Sequence, residues 1–144
     1  GSEMCIRDRF EPERQQYGVI TLTERPAVYS GSEISGWSGT KTGDDVAVLG
    51  NILVDESVLA QSLRAFNDSR DKPLAARLMG ALRAGADAGG DRRCGDQKAR
   101  SAFLSVYDPG TGSITKVSAY GLAPGGEPAV TLLEEKQRKV MATD

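Results

Sequence analysis

A nine-residue stretch, residues 89–97 with the sequence GGDRRCGDQ, constrains this chain more than any other. It lies between an alanine-rich segment and an apolar one. Adjacent glycines let a backbone turn tightly and approach a ligand closely. Arginines beside Asp91 form hydrogen-bond forks that either brace a loop or hold an anion. The stretch therefore predicts a turn from a helix into a strand, which is either a salt-bridged structural turn or a ligand-binding loop.

The composition excludes several chemistries. The 144 residues include no histidine, so the chain supplies no Ser-His-Asp triad and no histidine zinc ligand. Two cysteines, Cys5 and Cys94, match no metal-ligand spacing, and we predict no metal and no cofactor. With 18 basic and 20 acidic residues the net charge is −2, which argues against nucleic-acid and anionic-membrane binding. No apolar run approaches the roughly 20 residues of a membrane span. The first residues do not have the pattern of a secretory signal, and the sequence does not indicate a compartment.

The first nine residues, GSEMCIRDR, show neither helical nor strand periodicity. Residues 1–8 resemble, at every position, the conceptual translation of a transposon-derived adapter used to prepare sequencing libraries, and Arg9 straddles the junction. We therefore predict a non-native tail at residues 1–9 and a single truncated α+β domain at residues 10–144. Cys5 then belongs to the tail, which leaves Cys94 as the one native thiol.

The remaining pattern predicts an α+β fold with antiparallel pairing. Alternating residues 16–21 and a short partner from residue 27 to residue 30 form a hairpin. Glycines and serines predict a loop at residues 31–45. Apolar strands follow at residues 46–49 and 52–54, on either side of Gly50-Asn51.

Two helices and a hairpin complete the predicted order. Asp55 caps a helix that reaches about residue 67, with an apolar stripe at Leu59, Leu63 and Phe66. A second helix begins near Pro73, carries leucines every fourth residue from Leu74, and stops at Gly89-Gly90. The apolar run 102–107 predicts an interior strand covered on both faces. A strong turn at residues 108–112 predicts an antiparallel partner at 114–120, and a polar helix spans residues 127–141.

Several short blocks, taken in their order along the sequence, resemble those of a known family. These blocks are RQQYGV at residues 14–19, WSG at 37–39, GNIL at 50–53, the helix pair, and GGDRR at 89–93 before an apolar strand. They resemble, over residues 15–107, the C-terminal half of a bacterial domain-of-unknown-function family, number ten twenty-eight in the usual series, that is grouped with the N-terminal-nucleophile hydrolases.

The resemblance implies a partial αββα sandwich of antiparallel sheets between helix layers, with the N-terminal portion missing. Enzymes of this superfamily cleave amide bonds with the side chain of the first mature residue, whose free α-amino group is the base, so no histidine is needed. Gly1 carries no side-chain nucleophile. We therefore expect the full-length protein to be an amidohydrolase-like enzyme of unknown substrate and this chain alone to be inactive.

Two hypotheses follow for the site. In the first, Asn51 offers its amide to an oxyanion, Asp91 shares the catalytic role, and Arg92 or Arg93 positions a small-molecule or peptide substrate. The structural alternatives are a turn-capping amide at Asn51 and an ion pair at Asp91. In the second, the loop around Trp37 binds a peptide, glycan or protein partner without catalysis, unless Trp37 is a core plug. A homo-oligomer is compatible with either hypothesis.

Overall fold

The computed structural model describes residues 11–141. The predicted adapter-derived tail, with Cys5, lies outside the described residues. Within this range the chain forms six strands, three α-helices and two short 3₁₀ turns. The strands are β1 (Gln16–Val19), β2 (Ala27–Ser30), β3 (Trp37–Thr42), β4 (Ala47–Leu53), β5 (Ala102–Asp108) and β6 (Ser113–Ala119); the helices are α1 (Ser57–Asp68), α2 (Leu74–Asp87) and α3 (Ala129–Met141); the 3₁₀ turns are Pro12–Arg14 and Gly95–Gln97.

The strands pair as three antiparallel hairpins, β1–β2, β3–β4 and β5–β6. The first and third confirm the sequence prediction. Gln16 pairs with Ser30 at the open end of the first hairpin. At the turn of the third, the Asp108 carboxylate accepts a hydrogen bond from the backbone N–H of Gly110 over 2.8 Å. Gly112 has a φ of +72°, which tight-turn geometry often demands of glycine.

The segment 31–45 is not the loop that its glycines and serines predict. β3 occupies its centre and pairs with β4 from Thr42–Ala47 to Trp37–Leu53. Glycine is needed in this strand because the packing is close: a Cβ at Gly39 would lie 2.8 Å from the Trp37 ring. The loop prediction is wrong because a glycine that weakens an isolated strand also permits the approach of a large side chain.

Helices α1 and α2 form the predicted pair. The Asp55 carboxylate accepts a hydrogen bond from the backbone N–H of Ser57 over 2.8 Å at the start of α1. Leu59 of the predicted stripe is buried. The two helices approach closely at Gly85, where a Cβ would lie 2.5 Å from the hydroxyl oxygen of Ser62.

The apolar face of α2 differs from the predicted leucine repeat. Leu74 and Leu82 are exposed, whereas Met79 and Ala86 are buried. A repeat of four residues advances about 400° around an α-helix and so drifts about 40° per step. The leucines therefore rotate away from the core.

The main hydrophobic core lies between α2, α3 and the β5–β6 hairpin. Its buried members are Met79, Ala86, Ala102, Val117, Ala119, Ala129, Val130 and Leu133. β5 contributes from one face only: Ala102 is 8% exposed, whereas Phe103 is 74% and Tyr107 59% exposed. The prediction of a strand covered on both faces is wrong within the described residues, and β5 follows the two-residue alternation of a half-buried strand.

The chain is thus a mixed α/β structure with small antiparallel sheets and a helix pair, as predicted from sequence. The β1–β2 hairpin packs on β4, where a Cβ at Gly18 would lie 3.0 Å from Cδ1 of Leu49. Helix α1 packs on β3 and β4. This arrangement places the end of β4, with Asn51, between the first hairpin and the loop that follows α2.

Candidate functional site

The candidate site begins at a β-bulge in β4. The register between β3 and β4 shifts at residues 37–39, so that two residues, Asn51 and Ile52, lie opposite the single residue Ser38. Ile52 has a φ of +52°, a value that β-branched residues rarely adopt. Bulges and left-handed non-glycine residues concentrate at functional sites, where surrounding contacts hold the strained backbone.

A glutamine holds the side chain of Asn51. Asn51 Nδ2 donates a hydrogen bond to Oε1 of Gln16 over 3.1 Å. Nε2 of Gln16 lies 3.1 Å from each of the Ser30 hydroxyl, the Gly39 carbonyl and the Gly50 carbonyl. The Gln16 amide therefore connects β1 to β2 and to the β3–β4 ladder, and it fixes the orientation of the Asn51 amide. Sequence reasoning missed Gln16 as a site residue, because only its place in the block RQQYGV distinguishes it from a solvated strand residue.

The glycine-rich loop lies beside the bulge. Asp91 forms an isolated antiparallel bridge with Leu53. The backbone N–H of Arg92 donates to the carbonyl of Ile52 over 2.9 Å. The structure therefore places the backbones of the two predicted segments side by side, although 40 positions separate Asn51 from Asp91 in the sequence.

The side chains of these two segments line different cavities. Asn51 lines a cavity of about 360 Å³ together with Arg14 and Glu33. Asp91 and Arg93 line another of about 530 Å³. The two predicted segments are therefore neighbours through their backbones, but their side chains line separate cavities.

Trp37 belongs to neither cavity wall. It is half-buried and pairs with Leu53. Its ring lies over Gly39, and Leu59 of α1 approaches the same position, 3.4 Å from a Cβ built at Gly39. The Trp37 ring therefore packs beside α1, and a binding role for Trp37 stays a prediction.

Asp91 and Arg93 form a forked ion pair. The Asp91 carboxylate accepts hydrogen bonds from the backbone N–H, Nε and Nη2 of Arg93 over 2.8, 3.0 and 2.6 Å. The hydrogen bond from the Arg93 side chain lowers the pKa of Asp91, and the same contact raises the pKa of Arg93. A carboxylate held anionic in this way is a weak base, so the geometry suits Asp91 to shaping the loop. The Arg92 side chain is exposed, and between residues 11 and 141 it forms no hydrogen bond or ion pair.

The cavity beside this ion pair has a braced wall. It is lined by Asp91, Arg93, Cys94, Gln97, Ala99, Arg100, Ser101, Pro124 and Gly125. Gln97 is 5% exposed, and its Nε2 donates to the carbonyls of Ala123 and Glu127 over 2.9 and 3.1 Å. Its Oε1 accepts from the N–H of Gly125 over 3.1 Å. A buried amide with these partners fixes the loop on the far side of the cavity.

Asp91→Asn is expected to reduce the loss of unfolding free energy that occurs between neutral and acid pH. Because the pKa of Asp91 is lowered in the folded state, the stabilisation is present above the unfolded pKa of about 3.9 and is lost as the pH falls through the lower folded pKa. Unfolding free energies from urea titrations between about pH 6 and pH 2 should converge for the two proteins at the acid end. Asp96→Asn, in the same loop, is the control, and parallel curves for the original protein and Asp91→Asn would contradict the expectation.

The described residues contain neither a metal cluster nor a membrane-spanning helix. Among residues 11–141, no group of three or more Cys, Asp or Glu side chains could hold a metal ion. Searched over the same range, the helices include none that is long and apolar enough to cross a membrane.

Comparison with known proteins identifies the family. A model described as "Family of unknown function (DUF1028)" matches residues 2–132, so the chain belongs to this family, as the sequence blocks predicted. The match begins inside the segment predicted to be adapter-derived, and that interpretation stays a prediction.

A solved member of the family has a similar fold. It is the crystal structure of protein SPO2555 from Silicibacter pomeroyi, with 27% sequence identity and a TM-score of 0.71. The similarity covers 87% of this chain and 50% of that one, so the chain spans about half the length of this relative. No curated protein matches the sequence.

Proposed function

We propose that this chain is part of an amidohydrolase-like enzyme of the N-terminal-nucleophile type, with a partial αββα sandwich, in which the Asn51 amide stabilises an oxyanion. The observation that carries the proposal is the bulge of β4. It presents an exposed amide donor on a backbone whose next residue, Ile52, has a φ of +52°. Strain of this kind persists only where surrounding contacts maintain it, and such positions cluster at active sites.

The Asn51 amide has the properties that oxyanion stabilisation requires. Amide hydrolysis passes through a tetrahedral intermediate, in which the former carbonyl oxygen is negatively charged. A donor that is already oriented stabilises this charge without reorganising. Gln16 orients Asn51 by accepting one Nδ2 hydrogen. In the described part of the chain the second Nδ2 hydrogen has no acceptor, so it is available to a ligand oxygen.

The nucleophile in this proposal comes from the part of a longer protein that has no counterpart here. Its hydroxyl or thiol adds to the carbonyl carbon of the substrate, and its proton passes to the free α-amino group of the same residue. The α-ammonium then protonates the leaving amine as the C–N bond breaks. Water, deprotonated by the α-amine, adds to the acyl carbon. The bond to the nucleophile then breaks, the α-ammonium returns the proton to the freed hydroxyl or thiol, and a carboxylic acid leaves. The absence of histidine from the sequence is compatible with this scheme.

A turnover comparison tests the proposal. A panel of N-acyl amides is assayed with this 144-residue protein and with a longer protein that contains the same sequence after the nucleophile strand. We expect turnover by the longer protein only, because the sequence contains no histidine to act as the base for a serine or cysteine nucleophile. Turnover by the 144-residue protein that survives Cys94→Ala would refute the proposal, and so would an inactive longer protein with an intact N-terminal nucleophile.

The alternative function, a non-catalytic module that binds through Trp37, has less structural support. The Trp37 ring lies against Gly39, which leaves less of its surface for a glycan or peptide. Binding of a peptide panel that Trp37→Ala abolishes, without a loss of thermal stability, would favour this alternative.

A further inference from the structure

We propose that the cavity beside the Asp91–Arg93 ion pair binds the carboxylate of a small-molecule ligand through the guanidinium groups of Arg93 and Arg100. Binding of this kind requires no hydrolysis, so the inference stands apart from the amidohydrolase proposal. It uses Arg100, which sequence reasoning did not single out.

The size and the charge of the cavity suit one carboxylate. Its volume of about 530 Å³ lies in the range of small-molecule sites. Among its lining residues, Asp91, Arg93 and Arg100 carry charge, and these three charges sum to +1. A ligand with one negative charge neutralises the cavity, whereas a phosphate dianion would leave it with a net charge of −1 and place that uncompensated charge near Asp91.

Both arginines retain donors for a ligand. Arg93 directs Nε and Nη2 to Asp91. Arg100 directs Nε to the carbonyl of Leu122 over 2.7 Å. Within residues 11–141, Nη1 of Arg93 and both terminal nitrogens of Arg100 have no acceptor. Planar guanidinium groups match the two oxygens of a carboxylate, so these nitrogens are suited to hold one.

The protein fixes the position of Arg100 before any ligand arrives. Besides the side-chain bond to the Leu122 carbonyl, the Arg100 carbonyl accepts from the backbone N–H of Leu122 over 2.9 Å. The hydroxyl of Ser101 accepts from the N–H of Gly121 over 2.9 Å, and buried Gln97 holds the same loop further along. A site that is already ordered loses less free energy on binding than one that must fold around its ligand.

Cys94 provides a reporter inside the cavity. It is half-buried and lines the same space as Arg93 and Arg100. In a Cys5→Ser background, the rate of alkylation by iodoacetamide reports access to the Cys94 thiol. A ligand that occupies the cavity is expected to slow this reaction in a saturable way.

The experiment compares three probes. N-acetylalanine carries a carboxylate, N-acetylalaninamide lacks it, and inorganic phosphate is the competing anion. We expect saturable protection by N-acetylalanine alone. Arg100→Gln is expected to raise the half-protecting concentration about tenfold or more, because a charge-assisted fork is lost. Arg64→Gln removes an exposed arginine of α1 and should leave protection unchanged.

Four results would overturn the inference: equal protection by the amide, protection by phosphate alone, no protection by any probe, or unchanged protection in Arg100→Gln. If Arg100→Gln melts at a much lower temperature, Arg100→Lys replaces it. Lysine keeps the charge and loses the fork, so protection should still weaken. Since turnover is not measured, failure here leaves the amidohydrolase proposal untouched, and the reverse also holds.

Discussion

Gly90→Ala is expected to lower the free energy of unfolding by about 3 kcal/mol, because two costs add at this position. Gly90 has a φ of +61°, and a Cβ there would lie 2.7 Å from the carbonyl oxygen of Lys98. A left-handed conformation costs a residue with a Cβ about 1–2 kcal/mol. Overpacking against a backbone atom adds about 1–3 kcal/mol. Urea unfolding of the two proteins measures the difference.

Gly95→Ala is the matched control for this substitution. Gly95 has a φ of +55°, but no atom lies within 4 Å of a Cβ built there. It should therefore carry the conformational cost alone, about 1–2 kcal/mol, and the difference between the two variants measures the clash at Lys98. Equal losses would show that the loop shifts freely, and would contradict the tight closure between Asp91 and Lys98, whose N–H and carbonyl are 2.9 Å apart.

Elements with local signals could be predicted from sequence. The β5–β6 hairpin follows from its Asp108–Gly112 turn residues, whose conformations depend on neighbours only a few positions away. The end of α2 follows from the adjacent glycines at positions 89 and 90 for the same reason. In both cases the residues that set the conformation lie within the element or directly beside it.

Elements that depend on distant packing could not be predicted. The segment that contains β3 has the glycines and serines that are typical of a loop. The one glycine inside the strand, Gly39, is explained by the Trp37 ring that lies across it. The sequence predicts β5 to be an interior strand because Phe103 and Tyr107 are apolar. Both side chains are exposed in the described structure. Composition records which side chains are apolar and not which face a neighbouring element covers.

The same limit applies to the site. The sequence singled out Asn51 and Asp91, and the segments that contain them lie side by side, through the Leu53–Asp91 bridge. It did not identify Gln16, which meets Asn51 across 35 positions, or Arg100, whose carbonyl acceptor lies 22 positions away. The sequence also paired Asp91 with either Arg92 or Arg93, and only a structure shows that the fork belongs to Arg93.

Asn51→Ala, in a longer protein with the nucleophile strand, is expected to reduce kcat by about 100- to 1,000-fold. The oxyanion exists only in the transition state and the intermediate, so kcat and kcat/KM should fall together while KM changes little. Asn51 is exposed, so its removal should cost little thermal stability. Steady-state kinetics on the best substrate of the amide panel, with a thermal melt of each protein, provides both measurements.

A substitution at a distant asparagine is the control that distinguishes a catalytic effect from a general effect of losing an amide. Asn67 lies on α1, where its Oδ1 accepts from Arg70 over 3.3 Å, and Asn67→Ala should leave kcat unchanged. Asn51→Asp keeps the size of the side chain but replaces a donor with a carboxylate, so it should be at least as inactive as Asn51→Ala, because a negative charge opposes the oxyanion. If Asn51→Ala instead lowered the melting temperature and left kcat intact, Asn51 would serve only to hold Gln16, and the β4 bulge would be a structural feature of the sheet.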